Sequence, residues 1–241
     1  MQGIELTPSE VALVIDGLKT QKRVPIIPNK HLVYTDEFWE RIKLDKDVSL
    51  CPYGKVGDTL FVQEDWKVGA WTNDGRFAFD HSCEPYDTSW HKCPNVEVEA
   101  MYLGLEYDLH ACGMEEIDGK YTWDKFESPL TVNRAKTMRE WMSRIKLKIT
   151  EIRIERLQDI SEKDAIAEGG EQIIGYECIG MNGYDDPLYD EFVEISAKSN
   201  FKNIIWKQLP YPPEYRWEAN PWVWVIEFEV VDEEKPCDQT N

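Results

Sequence analysis

Between Gly17 and Lys30 stand four cations with no acid among them: Lys19, Lys22, Arg23 and Lys30. The chain around them carries 46 Asp and Glu against 27 Lys and Arg, a formal net charge of −19. So local a reversal needs a local reason. In the stretch DGLKTQKRVP, residues 16 to 25, ammonium and guanidinium groups follow one another closely enough to donate together to one phosphate or one base edge. Thr20 adds a hydroxyl directly after Lys19. A second basic run holds Arg134, Lys136, Arg139, Arg144, Lys146 and Lys148 against the single acid Glu140. Each run is either a functional basic face on an acidic body or a solvated face whose cations pair with nearby acids.

Three further constellations can do chemistry. His81-Ser-Cys83, His91-Lys-Cys93 and His110-Ala-Cys112 repeat an H-x-C spacing, and any two pairs offer a Cys2His2 set for zinc. The competing expectation is free, reduced thiols. Tyr211, Tyr215, Trp217 and Trp222, interrupted by prolines, read either as a stacking platform for a base or as the closure of a barrel end. In GDTLFVQEDW, from Gly57, alternation puts Glu64 on one face with Leu60, Val62 and Trp66. A carboxylate there sits at the wet end of the face or meets a partner in a pocket, and the first outcome is the expectation.

The elements that must position these groups are legible in part. Thr7-Pro8-Ser9-Glu10 is a helix start, with Thr7 as N-cap, Pro8 at the first helical position and Glu10 closing a capping box. Val11, Val14, Ile15 and Leu18 form its apolar stripe, and Gly17 is placed to end it. The basic stretch is therefore expected to be an exit loop. Residues 145 to 155 alternate through Ile145, Leu147 and Ile149 and then change phase to Ile152 and Ile154, the mark of one extra residue near Thr150 or Glu151. Ser161 to Asp164 starts a short helix that ends at Glu168 before Gly169-Gly170. NPWVWVIEFEVV supplies a strand covered on both sides at its start. Residues 67–133 and 171–206 read as insertions, the second running into a helix through Leu188, Phe192, Ile195, Ile204 and Ile205. The fold class expected is mostly β with α, one domain over residues 1–231 with those two insertions and an acidic tail at 232–241.

Composition narrows the function classes. With 42% hydrophobic residues and ten Trp the chain is globular and not a disordered acidic protein. No stretch approaches the roughly 20 apolar residues of a membrane span, and MQGIELTPSEV lacks the regions of a signal peptide, so a cytoplasmic protein is expected. The net negative charge repels the phosphate backbone on average, so nucleic-acid contact must be confined to a patch. No P-loop and no G-x-G-x-x-G occurs.

Taken in order, G-x-K-T-x-x-R after a helix, a CPYG turn leading to GD-x-L-x-V-x-E-x-W, the run W-x-S-R-I-x-L-x-I-T-x-I-R-x-E-R-L-Q-D-I-S-E-x-D-A-x-A-E-G and a closing NPWVWVIEF resemble the ASCH domain, in its phage- and prophage-encoded form. The matching segments are roughly residues 8–66, 138–170 and 216–230. The resemblance implies a PUA-like fold, a small β-barrel flanked by short helices with a cleft beside the first helix, and binding of RNA or a modified nucleobase. In the hydrolase branch of that family a lysine, a threonine and a glutamate remove an acetyl group from N4-acetylcytidine. Carried over by position, the lysine is Lys19 and the glutamate Glu168, while the threonine's place holds Lys22. A protonated ammonium has no lone pair with which to attack an acyl carbon.

The resemblance thus implies a binding module whose ligand meets Lys19, Lys22, Arg23, Glu64, Trp66 and Glu168. The alternative it leaves is an amidohydrolase acting on an N4-acylated cytidine, or a nuclease, worked by Lys19 and Glu168 with Thr20 as the available hydroxyl. A third class, suggested by charge alone, is an acidic phage effector that mimics nucleic acid and binds a host protein in the host cytoplasm. Zinc is the only cofactor the residues suggest.

Overall fold

The computed structural model describes residues 1–27, 41–45, 47–72, 74–81, 90–113, 128–178 and 190–231. In chain order its elements are β1 Gln2–Glu5, α1 Pro8–Ile15, β2 Gln21–Pro25, β3 Thr59–Gln63, β4 Trp66–Trp71, β5 Arg76–His81 and β6 His91–Lys92. There follow α2 Asn95–Ala111, β7 Lys146–Arg156, α3 Glu162–Ala167, β8 Ile173–Cys178, β9 Asp190–Ile195, α4 Ala197–Asn200 and β10 Trp222–Val231. Short 3-10 turns and π-helical segments at Arg41–Asp45 and Phe201–Trp206 fill the connections. The described residues of Met1–Ile15, Asp58–Lys148 and Val230–Asn241 make one compact unit, and those of Asp16–Gly57 and Ile149–Glu229 make the other. Among the described residues no helix is long and apolar enough to cross a membrane.

In the first unit β1 runs parallel to β3, which pairs antiparallel with the start of β7. The α1 cap forms as its residue types require: Thr7 N–H donates to Glu10 Oε2 at 3.0 Å, and Glu10 N–H donates to Thr7 Oγ1 at 3.3 Å. Gly17, past the end of α1, takes the left-handed conformation at φ 71°. The described part of residues 67–133 holds regular structure. It carries an antiparallel sheet β4-β5-β6 and the helix α2, with Phe77, Phe79, Leu105, Leu109 and Cys93 buried in one core with Trp66, Met138 and Met142. The signal was the alternation Phe77, Phe79, His81 in β5, too short to stand out among polar neighbours.

In the second unit β10 pairs antiparallel with β2, Val225 opposite Arg23 and Ile226 opposite Lys22. From Gln21 on, the stretch expected to be an exit loop is thus a strand, because β10 supplies a hydrogen-bonding edge that local sequence does not reveal, while Leu18 to Thr20 remain a loop. Strand β7 changes phase as its sequence indicates: Leu147 and Ile149, then Ile152 and Ile154, are buried, with Thr150 and Glu151 exposed between them. The helix expected from Leu188 to Ile205 is corrected over Asp190–Ile195, which is β9, paired antiparallel with β8 from Ile173↔Ile195 to Cys178↔Asp190. Leu188 lies outside the described residues. Helical structure begins only at Ala197, where Ser196 accepts from Ser199 N–H as N-cap. The five main strands follow in the order β1-β3-β7-β10-β2, an open order with β1 and β2 at its ends. The architecture is mixed α and β, and no closed barrel is present among the described residues.

Candidate functional site

The centre of the second unit is Glu168. It reaches its place because α3 is capped at both ends by its own sequence. Ser161 accepts from Asp164 N–H while Asp164 reaches back to Ser161, and the helix closes on Glu168. Beyond it, Gly169 N–H donates to Ile166 O and Gly170 N–H to Ala165 O, each at 2.8 Å, the paired bonds of a Schellman motif. Gly169 adopts φ 89°, and a Cβ on Gly170 would stand 2.7 Å from the Ala165 carbonyl oxygen, so both glycines are required. The reversal holds the Glu168 carboxylate 2% exposed.

Three donors meet that carboxylate. Lys19 Nζ donates to Glu168 Oε2 at 2.8 Å and to the Glu168 carbonyl at 2.9 Å, with its side chain wholly buried. Gln21 Nε2 and Arg23 Nη1 donate to Oε1 at 3.3 and 3.4 Å. Two β2 residues, Gln21 and Arg23, thus work from one face, the period-2 geometry of a strand. Arg23 continues outward, donating to Glu155 at 3.0 Å and standing 3.5 Å from Asp164. Arg153 then ties together Glu155 at 2.7 Å, Asp164 at 2.6 Å, Gln21 Oε1 at 2.9 Å and Glu227. The side chains of Lys19, Arg23 and Glu168 are dry, whereas those of Arg153, Glu155, Asp164 and Glu227 are 20 to 36% exposed. This is a buried polar floor under a hydrated ionic rim.

The rim is tuned by its neighbours. Burial acts to raise the Asp164 carboxyl, but the Ser161 hydroxyl and the charges of Arg23 and Arg153 outweigh it and hold the group below the usual carboxylate value. Arg153 is likewise held above the ordinary guanidinium range: burial opposes its charge and is overcome by bonds to Glu227 and Glu155.

The other expected site residues fall as follows. Lys22 is buried in β2. Thr20 is exposed, its backbone engaged by Ala167 O and Phe228 N–H, each at 2.9 Å. Glu64 and Trp66 belong to the first unit. Glu64 is not at a wet end of its strand face: it is 1% exposed, held bidentate by Arg144 Nε and Nη2 at 2.8 Å each, with His81 Nδ1 3.4 Å away. Trp66 is a core residue, edge-on to Phe79, its Nε1 donating to Thr137 Oγ1 at 3.2 Å. Sequence reasoning missed Arg153, Glu155 and Asp164. The alternation I-R-I-E at 152 to 155, polar on the face opposite the core, was the available signal.

For zinc, His81 faces Glu64, His91 Nδ1 lies 3.1 Å from the Trp141 carbonyl, Cys93 is buried and Cys112 is exposed. Cys83 and the His110 side chain lie outside the described set. No group of three or more His, Cys, Asp or Glu side chains is arranged to hold a metal ion among the described residues.

Fold and centre define a class: a mixed α and β protein built around a buried carboxylate held by lysine, glutamine and arginine. Compared with known proteins, the chain matches no family model, no curated protein and no solved structure.

Proposed function

We propose that the chain is an ASCH-type, PUA-like module that binds RNA or a modified nucleotide at the Glu168 centre. The observation that carries this reading is the graded network itself. Lys19, Gln21 and Arg23 converge on one buried carboxylate, and the network reaches solvent through Arg153, Glu155 and Asp164. Desolvating two cations and a carboxylate costs several kcal/mol per ion and adds little stability over an apolar core. A ligand site is a reason to keep them. The rim's carboxylates suit the exocyclic amine of a base as acceptors, and Arg153 suits its carbonyl as donor. The ligand's role for Lys19 and Arg23 changes accordingly: both are committed to Glu168 and hold the floor, and the rim makes the contact.

Thermal shift and calorimetry of the full chain with cytidine, N4-acetylcytidine, their monophosphates and short RNA test this reading, since a ligand of the folded state must raise its stability. The expected result is a rise with at least one nucleotide, lost in Arg153→Met. Silence across the panel, or a rise indifferent to Arg153→Met, overturns it.

One observation favours a second reading, amide hydrolysis: the Lys19 amine and the Glu168 carboxylate are in direct contact at 2.8 Å. Product analysis with N4-acetylcytidine decides it. Turnover by the unaltered protein supports hydrolysis; turnover only in Lys22→Thr, abolished again by Glu168→Gln, supports a binding centre that lacks a nucleophile.

A further inference from the structure

The second unit contains a cavity of about 800 Å³, of the size that holds a small ligand or part of a chain. Its floor is Trp206, 3% exposed and fixed by its indole N–H donating to the Tyr215 carbonyl at 3.2 Å. Tyr211 packs on that ring at 5.1 Å between centroids, and Trp217 packs edge-on to buried Phe201 at 6.4 Å. Both Tyr211 and Trp217 keep part of their surface open to the cavity. Two aromatic rings are therefore offered to a ligand from a rigid base.

The rim is cationic. Lys202, Lys207 and Arg216 line the cavity against one acid, Glu218, in a chain whose formal charge is −19. Lys207 and Arg216 are exposed, and among the described residues neither has an ion-pair partner. Lys202 Nζ stands 5.7 Å from the centre of the Trp217 ring. The backbone is set in advance. Lys202 and Trp206 lie on the π-helical turn Phe201–Trp206, a winding frequent at functional sites. Pro210 and Pro212 fix φ in the facing loop.

We infer that this groove binds a single-stranded nucleic-acid segment, its bases against Tyr211 and Trp217 and its phosphates at Lys202, Lys207 and Arg216. Stacking on aromatic rings with cations tracking the backbone is the general chemistry of single-strand binding. An acidic peptide would satisfy the cations and leave the rings unused. The groove rests on residues that take no part in the Glu168 centre, and it stands even if that centre binds nothing.

The test is fluorescence anisotropy of the full chain with labelled oligo(A) RNA and oligo(dA) DNA, beside free AMP and an oligoglutamate peptide. Binding of RNA, DNA or both is expected, and which of them binds tells whether the 2′-hydroxyl is read. The double variant Lys207→Glu/Arg216→Glu, wholly on the surface, should weaken it about tenfold or more, and so should Trp217→Ala. Affinity should fall by about two log units per tenfold salt, as for three phosphate contacts. The double variant should keep any thermal shift given by nucleosides, which separates this groove from the Glu168 centre. The inference is overturned by absent oligomer binding, by binding indifferent to both variants, by AMP binding as tightly as the oligomer, or by oligoglutamate competing equally.

Discussion

Each compact unit buries a glutamate, and the two are satisfied in different ways. In the first unit Glu64 is held bidentate by Arg144, whose fork geometry matches a carboxylate, with His81 Nδ1 3.4 Å away. In the second unit Glu168 is shared among Lys19, Gln21 and Arg23, and Arg23 passes the connection on to Glu155 and Asp164. The carboxylates beside them differ in the same sense. Burial pushes Asp80, in the first unit, above its ordinary value against the charge of Lys67, 3.9 Å away, and its Oδ2 has no hydrogen-bond partner among the described residues. Asp164, in the second, is held below its ordinary value. A bidentate ion pair buried within one unit explains itself as structure. A network that runs from a dry floor to a wet rim leaves acceptors and donors at the surface, and it is there that a function is sought.

The largest effect should come from breaking the floor. Glu168→Ala leaves Lys19 and Arg23 buried without their carboxylate and should destabilise by about 3 to 5 kcal/mol in urea unfolding. Arg144→Ala strands Glu64 and should cost about 3 kcal/mol on the same scale. If the comparison is right, replacing both partners with apolar residues, Glu64→Leu with Arg144→Met, recovers most of that loss without touching nucleotide binding. A loss of binding in that double variant would place Glu64 among the ligand's contacts after all.

Smaller effects sharpen the contrast through pH. Asp164 has a lowered folded value, so its contribution is full above the unfolded value of 3.8 and disappears as pH falls through the folded one. Asp164→Asn should therefore destabilise at pH 7, and the difference from the parent should close under acid conditions. Asp80 has the opposite sign: its contribution is full below 3.8 and is lost as pH rises through its raised value. Asp80→Asn should be stabilising at pH 7 and neutral in acid. Thermal melts from pH 3 to 8 read both. Smallest, Ser161→Ala removes the α3 cap and should cost about 1 kcal/mol, lowering the melting temperature while Arg153-dependent binding persists.

Local chemistry was readable in the sequence wherever a residue's partner lies a few positions away. The Thr7 to Glu10 and Ser161 to Asp164 caps, the stop at Gly169-Gly170, the phase change in β7 and the two-sided burial of β10 all depend on near neighbours, and all appear where the residue types place them. The resemblance to the ASCH domain pointed to Lys19 and Glu168, which the chain brings together across 149 positions. What only the tertiary structure decided was which partner each charge meets. A run of cations reads the same whether it faces water or a buried carboxylate. Strand β2 is a strand because β10 lies beside it, and Arg23 is dry because Glu155, Asp164 and Glu168 converge on it from β7 and α3. Charge type is fixed residue by residue, but desolvation and pairing depend on distance, and distances between remote segments exist only once the chain has folded.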